Sequence, residues 1–191
     1  MRPDPFGRIV IPILWLAWLA YWVVSSRNVK PDQWRESGGS QLLYRIPMIL
    51  AAMLLAFSRW LPSVLWVQVL PAATWASALG ALLVGAGLGF SVWARVHLGR
   101  NWSAHVVVKE GHSLIRTGPY RRVRHPIYTG ILLAFLGMAV AIGQVRAILA
   151  FVLALASFGY KARSEEARMR AVFPEYEAYR RESAALVPGV Y

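Results

Sequence analysis

The chain has 191 residues, of which 57% are hydrophobic, and its formal net charge is +12. Because soluble domains average about 45 to 50% apolar residues, this composition excludes an ordinary soluble protein and predicts one integral membrane domain over residues 1–191. The chain has no cysteine, which excludes disulfides, thiol nucleophiles and cysteine metal sites.

The first half of the chain contains three apolar runs that suit membrane-spanning helices. Residues 9–24 are apolar, no small-residue cleavage site follows them, and basic residues come next, so we expect a span and not a cleaved signal peptide. After a polar loop, residues 42–61 form a second run. Residues 72–96 form a third that is long enough to cross about 30 Å of hydrocarbon.

Glycine marks the third run. It holds Gly80, Gly85, Gly87 and Gly89, and the spacing of Gly85 and Gly89 is one that lets two helices approach closely. Helix packing is one interpretation, and a glycine-lined wall beside a bound cofactor is the other. The spacing does not separate the two.

An arginine-rich segment, residues 111–130, comes next. Within it, Pro126 restricts His125 to an extended backbone and suits the first turn of a helix, so His125 is expected at the mouth of the next span. Residues 127–142 and 147–160 are two short apolar runs joined by a tight connection. They predict an antiparallel helical hairpin.

From Lys161 onward the chain is highly charged. Phe173, Tyr176 and Tyr179 recur at intervals of three residues, which predicts an amphipathic helix lying against the membrane face. The predicted fold is therefore all-α, an integral membrane protein of about five transmembrane helices with a cytoplasmic C-terminal amphipathic helix.

The distribution of charge predicts the orientation. Sixteen of the 21 Lys and Arg residues fall in the segments after the first, third and fifth spans, and four fall in the segments on the opposite side. By the positive-inside rule the first set faces the cytoplasm, as expected for a protein of the inner membrane. Because topology explains the charge and no nucleic-acid-binding module is present, no nucleic-acid partner is expected.

Two polar clusters fall on the predicted cytoplasmic side. One is residues 116–125, and the other is Arg163, Glu165 and Glu166 at the end of the last span. The hairpin would bring Tyr128 close to Glu166. Such a site suits a zwitterionic or cationic ligand, since arginine binds carboxylates and glutamates bind amines or hydroxyls. No metal site is expected, because the spacing of the four histidines does not match that of metal ligands.

These residues resemble the isoprenylcysteine carboxyl methyltransferase family, which has prokaryotic members. The resemblance covers roughly residues 96–179 and rests on four elements in order: Gly-His-x-Leu, Gly-Pro-Tyr, Arg-His-Pro-x-Tyr-x-Gly and Glu-Glu. It implies an S-adenosylmethionine-dependent methyltransferase that resembles protein-S-isoprenylcysteine O-methyltransferase. Its acceptor would be a lipophilic, lipid or prenylated molecule, reached from the surrounding membrane lipids at the cytoplasmic face.

The resemblance also implies a site, built from about residues 97–130 and 160–188. The residues carried over as cofactor-binding are His112, Leu114, Tyr120, His125, Pro126, Tyr128, Glu165 and Glu166. Arg124 and Arg163 are the expected catalytic residues, aligning the acceptor. One departure is Ala185, where many members of the family have arginine.

Several alternatives stay open at this point. Methylation of a carboxylate needs alignment and desolvation more than a base, whereas an amine acceptor would have to lose a proton to His125 or Glu165. The alternative functions are a phospholipid N-methyltransferase, a sterol-reductase-like enzyme that uses a nicotinamide, and a non-enzymatic membrane scaffold or transport accessory. Purely structural interpretations also remain open: His125 could cap the helix, Tyr128 could be a membrane-interface residue, and the two glutamates could form a solvated helix end.

Overall fold

The computed structural model describes residues 6–27, 32–35, 38–57, 60–99, 107–109 and 114–189, with residues 32–35, 38 and 107–109 described by their backbone alone. Six α-helices occur in this part of the chain: α1 (Ile11–Ser25), α2 (Gly38–Ala56), α3 (Thr74–Leu98), α4 (Pro126–Ile142), α5 (Val145–Val172) and α6 (Tyr176–Glu182). Two short strands, β1 (Asp32–Arg35) and β2 (Val107–Lys109), pair antiparallel. The prediction of an all-helical membrane fold is confirmed, with this small ribbon added.

Within the described residues, four helices are long and apolar enough to cross a membrane. They are Phe6–Ser25, Gly39–Ala56, Thr74–Leu98 and Val145–Val172. The fifth, α4, has 17 residues and is about 26 Å long, slightly less than the roughly 30 Å of a hydrocarbon core. It is held instead by close packing on its neighbours.

The tightest helix pair is α3 against α4. A Cβ added at Gly87 would lie 2.4 Å from the carbonyl oxygen of Gly130, and one added at Gly137 would lie 2.7 Å from that of Gly80. The two backbones therefore touch where neither has a side chain, which confirms the packing interpretation of the glycines. The pair singled out by spacing was wrong: a Cβ at Gly89 would meet nothing within 4 Å.

The five long helices alternate in direction. Ser157 Oγ on α5 donates to the Tyr44 carbonyl on α2 at 2.6 Å, while Arg146 near the start of α5 reaches the Leu54 carbonyl near the end of α2 at 3.0 Å. Trp18 on α1 donates to Ser91 on α3 at 2.7 Å. One end of the bundle, which we call the site end, consequently contains the chain before α4, the last turns of α5 and all of α6.

The core is divided between two clusters of buried apolar side chains. One lies mainly between α2, α4 and α5 and is centred on Phe135 and Phe158, and the other lies between α1, α3 and α4 around Val84. Much of the core is alanine. Small side chains at the contacts allow the helices to pack closely, as in membrane bundles generally.

The C-terminal region differs from the prediction. Helix α5 does not end with the apolar run near residue 160 but continues to Val172, and it carries the polar residues on its extension. It stops at Phe173, since Pro174 disfavours helical backbone in the residue before it. Tyr176 and Tyr179 then begin the separate helix α6, and both are buried against the protein, not turned to the membrane.

Candidate active site

Tyr128 lies at the centre of the polar cluster at the site end. Its hydroxyl donates to Glu165 Oε1 at 2.5 Å, which joins the first turn of α4 to the extension of α5. Its ring stacks between two others, with centroids 5.4 Å from His125 and 4.6 Å from Phe158. The hairpin prediction is confirmed, but the glutamate that Tyr128 contacts is Glu165 and not Glu166.

His125 is buried between the two carboxylates. Its Nδ1 lies 3.3 Å from Glu165 Oε2, and its Nε2 lies 3.3 Å from Glu166 Oε1. Burial alone would lower the pKa of His125, but the nearby carboxylates of Glu165 and Glu166 outweigh it and the pKa is raised above the usual 6.5. The two carboxylates therefore favour the protonated form of the ring.

The backbone explains why His125 lies there. His125 is the N-cap of α4, with φ −122° and ψ 59°, and Pro126 supplies the first helical residue. Its ring makes no capping hydrogen bond. It is therefore free of the helix end and available to the glutamates, which weighs against a purely capping role.

Arg124, the neighbouring cation, makes several contacts within the protein. Its Nε donates to Glu166 Oε1 at 2.7 Å, and its Nη1 donates to the carbonyls of Arg180, at 3.1 Å, and of Ser183. Its side chain is only 5% exposed. Arg124 thus binds the C-terminal region, and its expected part in aligning the acceptor stays a prediction.

Residues 183–187, which we call the strap, pass beside the start of α4. The Arg124 and His125 amides donate to the carbonyls of Ala184 and Ala185 at 2.9 and 3.1 Å, and Thr129 Oγ1 donates to the Leu186 carbonyl at 2.5 Å. The contact from residue 185 is made by its backbone. Alanine at this position accordingly fulfils the strap's structural role without an arginine side chain.

Lys161 was missed by the sequence interpretation. It is 8% exposed and its ammonium lies 5.2 Å from the centroid of Tyr128, 5.3 Å from that of Tyr44 and 3.9 Å from Glu165 Oε1. The signal was present as the spacing of four residues between a lysine and a glutamate on one helix. Arg180 was also missed, and its Nε lies 3.4 Å from Glu166 Oε2.

The other predicted residues are placed less centrally. Tyr120 is buried, its pKa is raised by burial, and its carbonyl accepts from the Tyr179 hydroxyl at 2.5 Å. Pro126 is fully buried and Leu114 is half-buried. Arg163 is exposed on α5, outside the buried cluster, and His112 lies outside the described residues.

The cluster has a defined chemical character. Two carboxylates, a phenol and stacked aromatic rings can bind an amine, hydroxyls and a cation. The two carboxylates face different nitrogens of His125, so they do not converge on one point. Among the described residues, no three His, Cys, Asp or Glu side chains are placed so that they could hold a metal ion together. The arrangement therefore suits an organic ligand better than a metal ion.

The amino-acid sequence matches the sequence model of the phospholipid methyltransferase family over residues 75–176. This is more than half of the chain. The chain belongs to this family. The expected relation to the isoprenylcysteine methyltransferases is also confirmed, since the chain is 35% identical to protein-S-isoprenylcysteine O-methyltransferase of Schizosaccharomyces pombe over 116 residues, 59% of this chain and 48% of that protein.

Two bacterial relatives have names of a different kind. The chain is 32% identical to the cobalt-zinc-cadmium resistance protein CzcN of Cupriavidus metallidurans over 146 residues, 75% of this chain and 60% of the relative. It is 34% identical to the nickel-cobalt-cadmium resistance protein NccN of Alcaligenes xylosoxydans xylosoxydans over 119 residues, 60% of this chain and 53% of the relative. The chain thus spans about half to three fifths of the length of these curated relatives.

The family match covers part of the candidate site. Residues 75–176 include α4, α5 and all of α3 except its first residue, and with them His125, Tyr128 and both glutamates. The strap and Arg180 lie beyond the match, although they contact Arg124 directly. The candidate site is therefore completed by a C-terminal segment that the family model does not cover.

Proposed function

We propose that the chain is an S-adenosylmethionine-dependent methyltransferase that methylates the carboxylate of a lipophilic, isoprenylcysteine-like acceptor at the site end. The observation that best supports this proposal is the buried cluster in which His125 and Tyr128 face Glu165 and Glu166, all on the segment that matches the family. The cofactor, when bound, supplies an electrophilic methyl group on a sulfonium.

The residues present fit such a cofactor. Glu165 and Glu166 are suited to its amine and ribose hydroxyls, and the stacked rings of Tyr128 and Phe158 are suited to a sulfonium or a purine. Lys161 lies 3.9 Å from Glu165, a long ion pair that a ligand amine would rival. Burial of the cluster excludes water from the reaction, which strengthens every charge interaction inside it.

The state of His125 favours a carboxylate acceptor over an amine. An amine must lose a proton before it attacks, but the two carboxylates raise the pKa of His125, which disfavours the neutral form that could accept that proton. Glu165 Oε1 is bound by the Tyr128 hydroxyl at 2.5 Å. A carboxylate acceptor needs neither residue as a base, because it is ionised above about pH 5.

Methylation of a phospholipid amine is the second candidate, favoured by the description of the matching family as phospholipid methyltransferases. The names of the two metal-resistance relatives describe a cellular role and no reaction. For the location, we propose the inner membrane with the site end in the cytoplasm. This orientation is supported by the sixteen basic residues on one side of the five-helix arrangement against four on the other.

The reaction is tested by incubating membranes that contain the protein with methyl-labelled S-adenosylmethionine. Labelled lipid is then treated with mild base, which releases methyl esters and leaves methylamines intact. We expect base-labile label above the level in membranes without the protein. Base-stable label would instead establish the phospholipid N-methyltransferase, and no label together with no cofactor binding would favour the non-enzymatic scaffold.

A further inference from the structure

A small pocket lies at the site end, beside the strap. Its volume is about 220 Å³, below the roughly 300 to 1,000 Å³ of pockets for drug-sized ligands, so it suits one small polar group. None of the cluster residues around Tyr128 lines it. The lining residues are Arg122, Arg181, Glu182, Ser183, Ala184, Pro188 and Gly189.

The pocket is predominantly basic. Arg122 and Arg181 are both exposed, and among the described residues neither guanidinium has a carboxylate partner. Glu182 is the third charged residue of the lining, which leaves one net positive charge. Two guanidinium groups at one pocket match the oxygens of a phosphate, which they can bind by paired hydrogen bonds.

The pocket lies at the level where the apolar helices begin. Thr129, in the first turn of α4, donates to the Leu186 carbonyl at 2.5 Å, and Leu186 packs against the core. The next residue, Val187, is 51% exposed and precedes the pocket residue Pro188. With α4 in a bilayer, an exposed apolar side chain beside two arginines would face the headgroup region, where basic pockets bind lipid headgroups.

We propose that the phosphate group of a membrane phospholipid binds between Arg122 and Arg181. The site is separate from the methyl-transfer site and does not depend on which acceptor is methylated. It is built on the strap itself, because the Ala184 amide donates to the Arg122 carbonyl at 3.0 Å and the Ala184 carbonyl accepts from Arg124 at 2.9 Å. A phosphate bound to both arginines therefore joins α6 to the segment before α4 and holds the strap in place.

The full chain, purified in a neutral detergent, is titrated by calorimetry with dihexanoyl phosphatidylglycerol and, separately, with inorganic phosphate. We expect Arg122→Gln and Arg181→Gln each to weaken lipid binding roughly tenfold, the loss of one charge-assisted hydrogen bond. Glu182→Gln should bind the lipid equally or more tightly. Arg121→Gln is the matched control, since Arg121 is exposed next to Arg122 but does not line the pocket.

Equal weakening by Arg121→Gln would show diffuse attraction to surface charge and overturn the pocket. Unchanged binding in the Arg122 and Arg181 variants would do the same. Inorganic phosphate that binds as tightly as the lipid would overturn the assignment to a membrane lipid. Should a glutamine variant fail to fold, Arg122→Lys keeps the charge, loses the paired geometry and should still bind less tightly than the wild type.

Discussion

Glu166 is the residue whose charge the buried cluster depends on most. It lies 2.7 Å from Arg124 Nε and 3.3 Å from His125 Nε2, and its side chain is 11% exposed. At an effective dielectric constant of about 20, charges at the Arg124 distance attract by roughly 6 kcal/mol, part of which desolvation cancels. Glu166→Gln leaves the buried guanidinium of Arg124 under-compensated, and removing one partner of a buried pair typically costs about 3 to 5 kcal/mol.

We therefore expect Glu166→Gln to lower the free energy of unfolding by about 3 kcal/mol. In a chain of this size that corresponds to a fall in Tm of roughly 6 to 12 °C, measured by thermal unfolding in detergent. Glu177→Gln is the control, because Glu177 is 49% exposed and pairs only with Arg180 on α6 among the described residues. Its Tm should change little.

A double-mutant cycle isolates the pair from other effects. Arg124→Gln and Glu166→Gln combined should cost at least about 1 kcal/mol less than the sum of the single variants, since the double variant contains no unpaired charge from the pair. Additive costs, or a Glu166→Gln variant that melts with the wild type, would refute the view that this ion pair organises the site.

Three further predictions concern the pH dependence, the helix packing and the orientation. Because the pKa of His125 is raised in the folded state, its contribution to stability is fully present below about pH 6.5 and is lost as the pH rises through the raised value, so the wild type should lose stability over that range and His125→Asn should not. An equal slope in both proteins would contradict this. Gly87→Ala should destabilise by about 1 to 3 kcal/mol through its clash with α4, whereas Gly89→Ala, in open space on the same helix, should be neutral or stabilising; equal Tm values would contradict the packing. Reporters fused at the C-terminus and near Gln144 should report cytoplasmic and external locations respectively, and a cytoplasmic report from Gln144 would reverse the proposed orientation.

The start of α4 could be predicted from the sequence because its signals are local. Pro126 fixes the helix start, and the short hairpin then brings Tyr128 to the glutamates. The prediction of an extended backbone at His125 was wrong, because its ψ is 59°. The end of α5 could not be predicted in the same way. Hydropathy marks where the apolar run ends, near residue 160, whereas the backbone hydrogen bonds continue to Val172.

Two further features could not be predicted from the sequence: the contacts of the strap, and which basic residue of α5 is buried in the cluster. Ala184 and Ala185 contact the start of α4 through backbone atoms, which leave no side-chain pattern to detect. Arg163 and Lys161 are two residues apart, and only the rotation of α5 in the bundle buries the lysine and exposes the arginine. Spacing along one helix does not give that rotation.

We propose above all that the buried cluster around Tyr128 is the cofactor site. Its most direct test is calorimetric binding of S-adenosylhomocysteine to the purified chain and to two variants with the same chemical change. Tyr128→Phe removes the hydroxyl that holds Glu165 at 2.5 Å and should weaken binding roughly 10- to 100-fold, the effect of a hydrogen bond to a charged group. Tyr160→Phe, at a position 40% exposed on α5, should bind like the wild type. No binding to the wild type, or equal affinity of Tyr128→Phe and the wild type, would contradict the claim.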